Sequence, residues 1–244
     1  MNKAIWIASV SALAGTASAQ SFSAANTYEF DNGGSGTYYN GTQNWLELDG
    51  GGISYVGQDF SVSGLSGTIN SVSFAETTAG AGAAGPDGFV HGNIYLASAA
   101  FDVVANEANI NADCPANAAL ENSDGVDNRF NSIFAGSFAI PSAIDGVTGS
   151  PFVLSLDLTK PGVMAYLNSV ESSNGTLRVI FAGDQTFYPT PQGNGLTLRF
   201  TGSQNGNLPD PTVTFKTQAA PEPASLCVLG LGIAGLISRK RKLA

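Results

Sequence analysis

Along the middle of the chain, apolar and polar residues follow one another in short runs broken by Gly, Asn, Asp and Pro. The clearest runs are 53–62, 68–75, 89–97, 133–140, 152–158, 177–182, 196–201 and 212–217. In "TINSVSF" the apolar members are Ile69, Val72 and Phe74, with a slip of the alternation at Asn70-Ser71. "GLTLRF" places Leu196, Leu198 and Phe200 on one face, and "VTF" does the same for Val213 and Phe215. Period two with polar partners marks half-buried antiparallel strands. Roughly eight to eleven such strands with turn residues between them predict an all-β fold, a single antiparallel β-sandwich of jelly-roll-like kind. Helical stretches do not alternate with the strands, which argues against a parallel α/β sheet.

One short helix is expected within "LTKPGVMAYLNSV". Thr159 is its candidate N-cap, Pro161 lies in the first turn, and Val163, Tyr166, Leu167 and Val170 recur at helical spacing. It should end before Ser172 and cap one end of the sandwich. Two irregular stretches, 77–87 and 106–128, read as loops rather than domain boundaries, because strands continue on both sides.

The two ends read as addresses. Residues 1–19 place Lys3 before an apolar run and end on Ala17-Ser18-Ala19, a small-x-small cleavage site. That is the anatomy of a secretory signal peptide, with Gln20 as the first mature residue. The division that follows is signal peptide 1–19, β-sandwich 20–217, linker 218–223, transmembrane helix 224–238 and basic tail 239–244. The apolar segment would span only about 22 Å as a helix, short of the roughly 30 Å hydrocarbon core. Local thinning and long basic side chains reaching the headgroups make up the difference. Arg239, Lys240, Arg241 and Lys242 flank it on one side only, which keeps that end cytoplasmic and the rest of the chain outside.

Pro221-Glu222-Pro223, a Gly/Leu-rich apolar segment and a terminal Arg/Lys cluster together resemble the PEP-CTERM sorting signal of Gram-negative bacteria. The resemblance covers the tail, "PEPASLCVLGLGIAGLISRKRK". It implies recognition by an exosortase, a membrane-embedded cysteine transpeptidase, with cleavage near Pro221-Glu222-Pro223. It further implies release to the cell surface or extracellular matrix after transient membrane anchoring, in a setting rich in exopolysaccharide. A permanently anchored surface protein is the competing reading. The string Gly230-x-Gly232-x-x-Gly235 lies in this same segment. It lacks the preceding strand and later acidic residue of a dinucleotide site and reads as small residues for helix approach in lipid.

Charge sharpens the class. Only 12% of the 244 residues are charged, against about 25% in ordinary soluble domains. With the addresses removed, residues 20–220 carry five basic and eighteen acidic side chains, a net charge of −13. Five scattered cations build no phosphate-binding face, so no nucleic-acid partner is expected. An acidic surface favours divalent cations and repels anionic polysaccharide unless a cation bridges the two. Cys114 and Cys227 fall in different compartments of the precursor and leave no intramolecular disulfide. Cys114 reads as a buried passenger, with an intermolecular link or a reactive thiol as alternatives.

Catalytic motifs are missing from the sequence. The one histidine, His91, falls inside an expected strand, and no serine or cysteine nucleophile comes with a positioned base. The expectation is a protein that is not an enzyme and has no cofactor beyond a candidate Ca²⁺. For that ion, Asp124, Asp127 and Asn128, with Asn122, surround Gly125 with oxygen donors. Their spacing is not that of an EF-hand, and an ordinary polar turn is the competing reading. The leading function is an exported, exosortase-processed surface or matrix protein associated with exopolysaccharide. A carbohydrate-binding module is the alternative, using Tyr38, Tyr39, Trp45, Tyr55 or Tyr188; a secreted glycan hydrolase with paired carboxylates is a third.

Overall fold

The structure, a computed structural model, describes residues 17–31, 36–39, 43–49, 52–80, 85, 87–99, 132–184 and 196–218. Eleven strands run β1 (Ala17–Asp31), β2 (Gly36–Tyr39), β3 (Gln43–Asp49), β4 (Gly52–Ser61), β5 (Thr68–Thr77), β6 (Phe89–Ala97), β7 (Ile133–Pro141), β8 (Pro151–Ser155), β9 (Thr176–Gly183), β10 (Leu196–Thr201) and β11 (Thr212–Gln218). Two helices, α1 (Ser142–Asp145) and α2 (Val163–Ser173), complete the described elements. Every one of the eight runs of alternation is a strand, and all the pairings are antiparallel.

The main path is β7-β6-β9-β4-β1-β11-β5-β8, with β3 and β10 paired beside β4 and β2 beside β1. Its outer strands return toward each other: the Asp157 N–H, just beyond β8, donates to the Ala135 carbonyl of β7 at 2.7 Å. The result is an antiparallel, sandwich- or barrel-like wrap around one core. β1 makes the wrap possible. Its first half pairs β11 and its second half pairs β4, with a register shift between Ala24 and Asn26. A bulge of this kind bends a strand so that it passes from one sheet to the next. The slip at Asn70-Ser71 has the same meaning: β5 changes register against β11 between Lys216 and Thr217.

Phe side chains fill the centre. Phe181 of β9 stacks on Phe200 of β10 at 5.1 Å and meets Phe74 of β5 edge-on at 5.6 Å. Phe60 and Phe152 extend the cluster toward β4 and β8. Such pairs add about 0.5–1.5 kcal/mol each beyond their buried area. Leu198, Val213 and Phe215 are fully buried, as the alternation requires.

The structure corrects several expectations. The N-cap of α2 is Gly162 at φ 83°, not Thr159; the Thr159 N–H and hydroxyl both donate to Asp157 Oδ1 instead. The helix also runs through Ser172 to Ser173, and the described residues hold a second, four-residue helix, α1, where one helix was expected. The loop expected from 77 starts later, because Thr77 closes β5 and buried Thr78 bridges Phe200. β8 stops at Ser155, short of 158. β1, β2 and β3 were missing from the clear runs.

Candidate functional site

The first and last described strands meet. β1 starts at Ala17, so Ala17, Ser18 and Ala19 continue the strand ahead of Gln20 and pair with Gln218, Thr217 and Lys216. The ladder continues through Gln20↔Phe215 to Ser23↔Thr212, seven pairs in all. Ser18 Oγ and Thr217 Oγ1 lie 3.0 Å apart across it, although 199 residues separate them in sequence. Ala17 and Ala19 are exposed.

The turn between β4 and β5 holds this corner. Gln20 uses both ends of its amide: Nε2 donates to the Gly64 carbonyl at 3.1 Å, and Oε1 accepts from the Ser66 N–H at 3.2 Å. Gly64 N–H donates to Asn174 Oδ1, and Val62 N–H to the Gly175 carbonyl, which ties the turn to the end of α2. Gly67, at φ 97°, lies against the other end of the chain. A Cβ there would stand 2.7 Å from the Gln218 carbonyl oxygen, so only glycine fits. Gln218 is the last described residue, three positions before Pro221. The expected linker therefore opens with the final residue of β11.

Two polar clusters lie inside the wrap. Arg178 of β9 grips Asp59 of β4 with both arms, Nε to Oδ1 at 2.7 Å and Nη2 to Oδ2 at 2.8 Å. Tyr28 O–H donates to Asp59 Oδ1 at 3.1 Å, and the guanidinium lies 5.6 Å from the Tyr28 ring centroid. Burial, then the Asp59 charge, pushes the Tyr28 phenol well above its ordinary value. Tyr166 of α2 donates to the Ala97 carbonyl and accepts from the Arg178 N–H; burial pushes its phenol up to about 12. Both phenols stay neutral at any physiological pH. Arg178, one of five cations in the expected domain, is thus buried against its own acid.

The second cluster holds Glu76 and Gln58. Gln58 Nε2 donates to Glu76 Oε2 at 3.0 Å, while Glu76 Oε1 and Gln58 Oε1 have no partner. Burial raises the Glu76 carboxyl from 4.5 to about 8, against the Gln58 hydrogen bond, which lowers it. Burial thus favours the protonated, uncharged form of Glu76. The signal was in the sequence: Glu76 continues the Val72, Phe74 alternation onto the core face.

His91 is half-buried in β6 and its Nε2 lies 2.6 Å from exposed Asp87 Oδ2. That hydrogen bond, then the Phe89 N–H, holds the Asp87 carboxyl below its usual range. Beside α2, a cleft of about 580 Å³ is lined by Ser98, Tyr166, Ser169, Ser173 and Thr176 among others. Among the described residues, no three His, Cys, Asp or Glu side chains gather where they could hold a metal ion.

Outside the described residues lie Asp124, Asp127 and Asn128 of the candidate Ca²⁺ site, Cys114, Cys227 and Tyr188, together with residues 1–16 and 219–244. The same holds for the side chains of Tyr38, Tyr39, Trp45 and Tyr55. Among the described residues no helix is long and apolar enough to cross a membrane. Pro221, Glu222, Pro223 and the basic cluster 239–242 belong to the tail that follows β11. No curated protein matches the chain. The family model of the PEP-CTERM protein-sorting motif matches residues 219–242, starting at the residue after β11. The C-terminal tail is thus a PEP-CTERM sorting signal, the mark of an exported protein targeted to an exosortase and held at the membrane in transit to the cell surface.

Proposed function

We propose that this protein is a non-catalytic surface or matrix component whose β domain is exported, anchored by its tail, cut near Pro221-Glu222-Pro223 and left among exopolysaccharide. The observation that carries the reading is the direct junction between β11 and the sorting signal, with Gln218 ending the strand and the matched tail beginning at 219. A folded body joined this closely to a sorting signal is a cargo. The Arg178 cluster fits that role, since Arg178, Asp59 and Tyr28 bond one another inside the wrap. An acidic domain of net charge −13 would meet anionic polysaccharide through bridging divalent cations.

The test is the mature C-terminus, read by mass spectrometry from the surface fraction of a host with an exosortase. The expected mass ends within or beside Pro221-Glu222-Pro223. Replacing those three residues by alanine should leave a full-length, membrane-retained precursor. Equal release of wild type and variant would refute the reading.

A further inference from the structure

We infer that β8 is a docking edge for a second copy of this chain. Two domains pair antiparallel through their β8 strands about a twofold axis at Val153, which joins the β1-β11-β5-β8 sheets of both copies into one. The inference is independent of how the tail is processed.

β8 pairs β5 on one side, and among the described residues no second strand pairs with it. The register runs from Ser73↔Ser155 to Thr77↔Pro151. Bonds just beyond each end, Leu156 N–H to the Val72 carbonyl and Thr78 N–H to the Ser150 carbonyl, both 3.0 Å, fix its phase. Antiparallel bonds fall on every second residue. Positions 150, 152, 154 and 156 therefore turn their backbone groups toward β5, and Pro151, Val153 and Ser155 turn theirs outward. Side chains divide in the same alternation: Phe152 and Leu154 are buried, whereas Pro151, Val153 and Ser155 are exposed. Val153, 64% exposed, is the most accessible of the large hydrophobic side chains described. Residues 146–156 carry no charge to guard this edge. Edges are commonly blunted by Lys, Pro or a bulge, and in β8 Pro151, at the first position, is the one such residue.

A second copy is singled out because the outward groups complement themselves. With Val153 facing its own copy, each Val153 N–H meets the other's Val153 carbonyl, and each Ser155 N–H meets the other's Pro151 carbonyl. The donor missing from this ladder is that of Pro151. The acceptor it would have served, the Ser155 carbonyl, already lies against β7, where a Cβ on Gly136 would stand 3.6 Å from it. Every N–H that the edge offers thus finds an acceptor. Such a self-matching register is the isologous contact that a twofold dimer requires. An axis perpendicular to the sheet also keeps both buried faces on one side, so Phe152 and Leu154 stay in their cores. Charge points to the same place. Residues 20–220, with a net charge of −13, repel their copy in general, and along 146–156 no charge stands in the way. Five residues of strand span only about 17 Å, so the dimer is weak and depends on concentration.

The test is self-association of the full-length chain in detergent, measured by analytical ultracentrifugation; any contact through the apolar tail is then common to all variants. Val153→Pro deletes the central outward N–H without removing a bond to β5, and should weaken the dimer at least tenfold. Val153→Lys sets like charges opposite each other and should do the same, although it makes the chain less acidic. It stands in if the proline variant fails to unfold cooperatively on heating. Added sodium chloride should strengthen the wild-type dimer by screening the acidic surfaces. In a Cys114→Ser, Cys227→Ser background, Val153→Cys should cross-link to its own copy under a mild oxidant, since facing Cα atoms about 5.5 Å apart suit a disulfide. It should do so at least tenfold faster than Ser63→Cys, exposed in the turn before β5. Equal association of wild type and the folded variants, a dimer that salt weakens, or equal cross-linking at both positions would overturn the proposal. So would a wild type that stays monomeric at the highest concentration it reaches, which would leave the edge to a strand of another protein.

Discussion

Replacing Glu76 by Gln should remove a distinct pH dependence from the stability of the fold. The carboxyl is 2% exposed and titrates at about 8 in the folded protein, against 4.5 in the unfolded chain. Between those values the unfolded chain has released a proton that the folded one keeps. Stability from this group is therefore greatest below pH 4.5 and declines as pH rises, flattening above 8. Each unit corresponds to about 1.4 kcal/mol, so the full window amounts to about 5 kcal/mol. That is comparable to the total stability of many domains, about 5–15 kcal/mol. Gln has nearly the same shape, keeps a hydrogen-bonding amide beside Gln58 and never ionises. Urea unfolding of wild type and Glu76→Gln from pH 4.5 to 9 isolates the effect, because every other titrating group cancels in the difference. The variant should be close to wild type at the acid end and more stable by several kcal/mol at pH 9, with an unchanged m-value. A difference that stays flat across the range would refute the burial argument.

Breaking the buried ion pair should be costly. Asp59→Asn leaves Arg178 charged without its counter-ion and should destabilise by about 3–5 kcal/mol in urea titration. Phe181→Ala empties the centre of the aromatic cluster and should lower stability by about 3–5 kcal/mol, again with two-state unfolding. If residues 122–128 hold Ca²⁺ with a dissociation constant near ~1 mM, ~10 mM ion should stabilise the domain by about 1.4 kcal/mol. The melting shift would be about 3 °C, and the Asp124→Asn, Asp127→Asn double variant should lose it; equal shifts in both proteins would mean a diffuse response of the acidic surface.

What could be read from the chain alone was whatever depends on neighbours in sequence. Alternation at Leu198–Phe200 or Val213–Phe215 reports which face of a strand is buried, since side chains change sides at every residue. The slip at Asn70-Ser71 coincides, for the same reason, with the register shift of β5 against β11. The tail was legible because Pro-Glu-Pro, the apolar segment and the basic cluster act as a linear signal that needs no fold to be recognised. Tertiary structure decided everything that joins distant segments. β1 escaped notice because its halves serve different sheets and its bulge interrupts the alternation between Ala24 and Asn26. Asp59 and Arg178 look like ordinary surface charges until β4 and β9 place them together across 119 residues. Glu76 could be assigned to the core face, but its raised pKa needs the packing that strips water from it. The meeting of Ala17–Ala19 with Lys216–Gln218 is the clearest case. Antiparallel pairing is satisfied by backbone groups that every residue carries, so no pattern in either end names the other as its partner.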